Sequence, residues 1–229
     1  MCNVCGGVGW VRVEVPLGHP QFGKTVRCDC KVQEDSNRLQ QLSGLTEGER
    51  RITLDGIETA GRTGTSKMVN ACRTFVQQPT GILTLWGGVG NAKTMALQAV
   101  VNALVAKNVE AVYVTAFDLF SHIRAAMNEK REVMNQGVYE RLVRFENVTV
   151  LAVDEFDKIR VTDWVMEQVT DLIDKRYRFG LDGSAGTVLA MNSDPAGQPE
   201  WIASRLLDGR NHVVYNPDRD IRPALKGAS

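Results

Sequence analysis

No apolar run in the sequence approaches the roughly 20 residues that a bilayer crossing requires, and no signal-peptide pattern precedes the core. The expectation is a soluble, cytoplasmic protein with no membrane association. There is no internal repeat and no low-complexity tract, which excludes a repeat array. An excess of either charge is also missing. Lys and Arg number 27 and so do Asp and Glu, for a formal net charge of zero. A broad basic surface is thereby excluded, and any contact with nucleic acid must come from a local patch. The 229 residues are 43% apolar and 24% charged, which excludes wholesale disorder. That length fits one core of about 180 residues with a small appendage.

Cysteine is scarce and unevenly placed. Four of the five cysteines fall in the first thirty residues, as Cys2-x-x-Cys5 and Cys28-x-Cys30. In a reducing compartment two such pairs read as a metal site rather than as disulfides. The C-x-x-C pair can grip one ion from a tight turn, and Gly6 and Gly7 let backbone N–H groups approach the sulfurs. Cys28 and Cys30 complete four ligands, which favours a closed, structural zinc site over an iron–sulfur cluster. His19 is a candidate substitute ligand, although a histidine in a surface turn is the preferred reading. Cys72 stands alone on the apolar face of a helix with Met68, Val69, Phe75 and Val76, and reads as a core side chain.

Along the chain, 1–35 reads as the cysteine-bearing hairpin ribbon and 36–65 as a linker. Within the linker, Thr46-Glu47-Gly48-Glu49 carries a capping-box pattern for a short helix. From 66 to 229 the reading is one domain. Ser66 is the expected cap of its first helix, and Pro79 the stop. Apolar runs then fall at 82–86, 111–115, 149–154, 187–191 and 212–215. Helical patterns lie between them at 93–107, 118–127, 138–145, 162–177 and 200–207, with Gly180 and Gly209 where C-caps would stand. Helix-length crossovers between continuous apolar strands predict a three-layer α/β domain around a five-stranded, mostly parallel sheet.

The first of these strands runs into Gly87-Gly88-Val89-Gly90-Asn91-Ala92-Lys93-Thr94. The Walker A pattern is G-x-x-x-x-G-K-[ST], and only Ala92 departs from it, by one methyl group. A strand leading through such a loop into a helix offers bare N–H groups to phosphates, with Lys93 for their oxygens and the Thr94 hydroxyl for magnesium. Gly87, Gly88, Gly90, Asn91, Ala92, Lys93 and Thr94 are therefore the expected nucleotide-binding set. Val150-Leu151-Ala152-Val153-Asp154-Glu155 has the Walker B form. Asp154 would hold magnesium, and Glu155 would polarise an attacking water. Asn192 ends a further apolar strand, where it would sit beside the terminal phosphate; by itself it is equally a turn residue.

Taken together, these segments resemble bacterial and phage helicase loaders of the DnaC/DnaI type. The resemblance is carried by the cysteine ribbon with Gly9-Trp10-Val11-Arg12 and the 15–24 segment, by Gly44 to Arg51, by Val153-Asp154-Glu155-Phe156, and by Ser204-Arg205-Leu206-Leu207-Asp208-Gly209-Arg210. It covers nearly the full chain. It implies an AAA+ ATPase with little or no C-terminal lid that uses ATP and magnesium and carries zinc in its ribbon. It further implies self-association into a ring or spiral, binding of single-stranded DNA, and delivery of a replicative DNA helicase. By the same resemblance Arg205 takes the arginine-finger position; otherwise it is a surface arginine on a short helix. Arg222 is a weaker candidate for a second phosphate-sensing cation. Lys130, Arg131 and Asn135 are candidates for DNA phosphate contacts, with a solvated helix connection as the competing reading. Two other functions share the core: an IstB-like transposition helper, and a nucleotide-gated adaptor with little turnover, supported only by Ala92.

Overall fold

The computed structural model describes residues 1–129, 143–158 and 163–220. Its amino-terminal part is a two-stranded antiparallel ribbon, β1 (Trp10–Arg12) and β2 (Thr25–Arg27), paired Trp10 with Arg27 and Arg12 with Thr25. Helix α1 (Asp29–Leu42) follows directly and buries none of its residues.

Helix α2 (Thr63–Gln77) leads into the main sheet. The sheet comprises β3 (Gly81–Gly87), β4 (Ala111–Thr115), β5 (Val150–Asp154), β6 (Gly186–Met191) and β7 (His212–Asn216), in the spatial order β4-β5-β6-β3-β7. Every pairing among them is parallel. Strands covered on both faces should be apolar throughout, and every residue of β5 and β6 is buried.

Side chains alternate between two cores, as a pleated strand requires. Leu83, Leu85, Val150, Ala152, Val188 and Ala190 face α2 and α3 (Lys93–Ala106). Ile82, Val112, Val114, Leu151, Val153, Leu189 and Met191 face the other side. There they pack on α4 (Ala116–Glu129), α5 (Asp163–Leu181) and α6 (Glu200–Leu206). Removing each valine, leucine, isoleucine or methionine among them from water is worth roughly 1.5–3 kcal/mol. None of the described helices is long and apolar enough to cross a membrane.

Parallel strands present their carboxyl ends at one edge of the sheet. The opposite edge is closed by Arg176 of α5, whose side chain is fully buried. Its guanidinium donates to the carbonyls of Glu146, Val148, Thr149 and Gly186, and to Thr187 Oγ1. Burial lowers its pKa to about 10. One side chain thus satisfies the backbone acceptors where β5 and β6 begin.

Several expectations need correction. The division at residue 35 falls inside α1, and part of the expected linker is core, because Leu45, Leu54 and Ile57 are buried against α2 and α3. Helix α2 begins before Ser66, and its first amides are capped from 153 and 154 residues away. Gly64 N–H and Thr65 N–H donate to the Asp218 carboxylate at 3.3 and 2.6 Å. Gly180 lies within α5 rather than capping it. A Cβ at that position would sit 2.8 Å from Gly81 Cα, so glycine is set there by close helix–strand approach. Helix α6 ends before Leu207, and Gly209 belongs to the turn beyond it. The helix expected at 138–145 lies mostly outside the described residues, of which 143–147 are helical.

Candidate nucleotide site and cysteine cluster

Strand β3 ends at Gly87, whose φ of 139° is open to glycine. A Cβ there would stand 2.1 Å from the Asn216 carbonyl oxygen of β7. Gly90 has φ 71°, and a Cβ on it would meet the Asp220 carboxylate. Ala92 adopts φ 70°, ψ 15°, the left-handed conformation that the missing glycine would take freely. The loop therefore keeps the backbone its pattern demands despite the methyl group.

The loop is held from both sides. Lys93 is buried, and its ammonium donates to Gly87 O (2.8 Å), Gly88 O (2.6 Å) and Asn91 Oδ1 (2.9 Å). Asn91 Nδ2 donates to Asn216 O (2.9 Å), and Asn216 Nδ2 returns a bond to Asn91 O (3.0 Å). Asp218 N–H donates to Asn216 Oδ1 at 3.0 Å. Residues 216–218 thus clasp the phosphate loop and the first turn of α2 together.

A cavity of about 250 Å³ opens at the carboxyl ends of β3, β5 and β6. It is lined by Gly90 to Thr94 from the loop, Asp154 and Glu155 from the end of β5, and Asn192 from the end of β6. Gly87 and Gly88 act behind it, through the carbonyls that hold Lys93. Asp154 is 4% exposed; its Oδ2 accepts from Tyr113 OH (3.0 Å) and its Oδ1 from Glu155 N–H (2.8 Å). Glu155 itself has φ 56°, a left-handed turn just after β5, and its carboxylate pairs with Lys158. The hydroxyl of Thr94 and the carboxylate of Asp154 share this cavity and are hard oxygen ligands of the kind magnesium takes.

Lys158 and Asp157 are site residues that the sequence analysis missed. Lys158 lines the cavity three residues after Glu155, a spacing that could have signalled the pair. Asp157 Oδ2 accepts from the backbone N–H groups of Asn192 (2.9 Å) and Ser193 (2.7 Å), fixing the end of β6 against the end of β5. Burial opposes ionisation of Asp157, but hydrogen bonds from Ser193 and from the Asn192 amide outweigh it and hold its pKa below the usual range.

Arg205 is not in the cavity. Its guanidinium donates to Asp174 on α5 (2.8 and 2.6 Å) and to Trp201 O (3.1 Å). Lys130, Arg131, Asn135 and Arg222 lie outside the described residues.

The four ribbon cysteines converge, with their sulfurs all within 4.8 Å of one another. Cys2 to Cys28 is 3.8 Å and Cys5 to Cys30 is 3.4 Å. A tetrahedral zinc with bonds of about 2.3 Å sets its sulfurs roughly 3.8 Å apart, so the donor set fits that ion. Gly9 N–H donates to Cys5 Sγ at 3.3 Å and, as the main cause, lowers the pKa of Cys5 to about 6. His19 is outside the cluster, its Nδ1 accepting from Gln21 N–H within the turn. Cys72 is fully buried, and burial pushes its thiol up to about 12, as a core side chain requires.

The same fold occurs in solved structures of replication proteins. A DnaI crystal structure matches with 20% identity and a TM-score of 0.61, over 81% of this chain and 100% of that one. A DnaC helicase loader matches with 20% identity and a TM-score of 0.57, over 75% and 99%. AMPPCP-bound DnaA from Aquifex aeolicus matches with 19% identity and a TM-score of 0.60, over 77% and 55%. The chain thus spans about half the length of that DnaA. No protein-family model matches it, and no curated protein does. At these identities what is shared is the fold, an α/β domain built on a five-stranded parallel sheet flanked by helices.

Proposed function

We propose that this chain is an ATP-binding and ATP-hydrolysing helicase loader, which assists delivery of a replicative DNA helicase to single-stranded DNA and works as a self-associated ring or spiral. The observation that carries the nucleotide half of this reading is the meeting of Lys93, Thr94, Asp154, Glu155 and Asn192 around one cavity at the strand ends. The loader half is supported by the shared fold of the DnaI and DnaC structures and by the cysteine ribbon ahead of the core.

In this reading each of these residues has one role. Lys93 exchanges its bonds to loop carbonyls for phosphate oxygens, and the start of α3 would offer amides to the anion. Thr94 and Asp154 would hold magnesium, which when bound supplies charge neutralisation for the phosphates. Glu155, released from Lys158, orients and deprotonates water, and Asn192 fixes that water's approach. Arg205 acts on a neighbouring copy's site after leaving Asp174. The left-handed fit of Ala92 weighs against the adaptor with little turnover.

The test has two parts. Nucleotide titration should show binding that Lys93→Ala abolishes, with Glu155→Gln binding normally and losing turnover. Capture from a host lysate with ATP should then bring down a hexameric helicase. Wild-type turnover by Glu155→Gln removes the catalytic assignment. Capture without a helicase removes the loader.

A further inference from the structure

Strand β4 is at one edge of the sheet, and an edge strand leaves backbone groups open to a partner. Here that partner is the segment between α1 and the core. Tyr113 N–H donates to Ser43 O at 2.7 Å. Gly44 lies so close that a Cβ on it would come within 2.2 Å of the Tyr113 carbonyl oxygen, and its φ is +78°. Any other residue at 44 pushes the segment off the strand. The segment is then anchored by Glu49. One carboxylate oxygen accepts from Gln98 Nε2 (2.8 Å) and the other from the Thr46 amide (2.8 Å) and hydroxyl (2.7 Å).

The side chain of Tyr113 points to the nucleotide site. Its hydroxyl donates to Asp154 Oδ2 at 3.0 Å, while Glu155 N–H holds Oδ1 at 2.8 Å, so the carboxylate is fixed from both ends. The Tyr113 phenol also lies near Gln98, the residue that holds Glu49.

We propose that Tyr113 is a positioning residue that joins the seating of residues 43–49 to the orientation of Asp154. Loading of nucleotide and metal at the phosphate loop is thereby coupled to the segment that carries the amino-terminal ribbon. The inference rests on Asp154 being the magnesium-side carboxylate of the proposed function. Coupling of this kind is reciprocal: a nucleotide that changes the segment is itself bound differently when the segment is disturbed.

The experiment is hydrogen exchange on the full chain with and without magnesium and AMPPCP, beside a magnesium titration of ATP hydrolysis. In the wild type, exchange of amides 43–49 should change about threefold or more on loading, a modest coupling for linked sites. Tyr113→Phe should bind magnesium-free nucleotide within about twofold of wild type, lose the exchange response, and need several-fold more magnesium for half-maximal hydrolysis. Gly44→Ala keeps the hydroxyl but displaces the segment, and should shift the magnesium requirement in the same direction. It carries the test if Tyr113→Phe does not fold. A variant that binds nucleotide and responds as the wild type does overturns this inference alone. A wild type that binds no nucleotide overturns the nucleotide reading and this inference with it.

Discussion

Ala92→Gly restores the one glycine that the phosphate-loop pattern lacks, and its effect follows from opposed quantities. The left-handed backbone at φ 70° costs an L-residue about 1–2 kcal/mol, which glycine recovers. Against this, glycine gives the unfolded chain extra freedom worth about 0.4–1 kcal/mol. The methyl group is also buried, Ala92 being 8% exposed within the core that includes α3. Its loss forfeits about 0.8 kcal/mol. These contributions cancel to within about 1 kcal/mol, so the melting temperature should move by no more than about 4 °C. Because the loop already holds a glycine-like backbone, nucleotide affinity should change less than about threefold, or about 0.7 kcal/mol. Calorimetric melting and titration with a fluorescent nucleotide measure the two effects. Tenfold tighter binding by Ala92→Gly would show that the methyl group distorts the loop, and the reading of Ala92 as a tolerated, strained substitute would be wrong.

Elemental analysis should find about one zinc per chain, held by Cys2, Cys5, Cys28 and Cys30, and chelation should loosen the ribbon around Trp10. Metal-free protein with an unchanged ribbon counts against this. Mixing Arg205→Ala with Lys93→Ala should restore part of the ATPase activity that each variant lacks, since a finger acting between copies can be worth about a thousandfold. A mixture that co-assembles and stays inactive returns Arg205 to its structural pairing with Asp174. Arg176→Met should leave several buried carbonyls without a donor, costing about 3 kcal/mol or more. The melting temperature should then fall by about 6–12 °C; an unchanged melt would mean that water replaces the guanidinium.

The strands were legible because burial on both faces makes them continuous apolar runs. The expected Ala111–Thr115 is β4 without change, and the other four differ only at their ends. The strand–loop–helix around 87–94 and the place of Asp154 and Glu155 at the end of β5 were equally legible, since both patterns lie within a few residues. Helix α1 was not. It buries no residue, so Lys31-Val32-Gln33-Glu34-Asp35-Ser36 shows no apolar period to read. Ser66 has the chemistry of a cap, but Asp218 does the capping from far along the chain, and local patterns are blind to such a partner. Tyr113, Gln98 and Glu49 look like unrelated polar residues on three segments until folding brings them together. Arg176 gives no local hint that it will be buried, because the carbonyls that bind it belong to other elements.

The clasp formed by residues 216–218 has a mechanical consequence. The backbone leaves the sheet while bonded to both the phosphate loop and the start of α2. Tension applied beyond position 220 is therefore transmitted to the nucleotide cavity with no slack between them. A surface tether attached within 218–220 would load that cavity. The exposed turn at 182–184, before β6 and at the far end of the sheet, is an attachment point away from the nucleotide cavity.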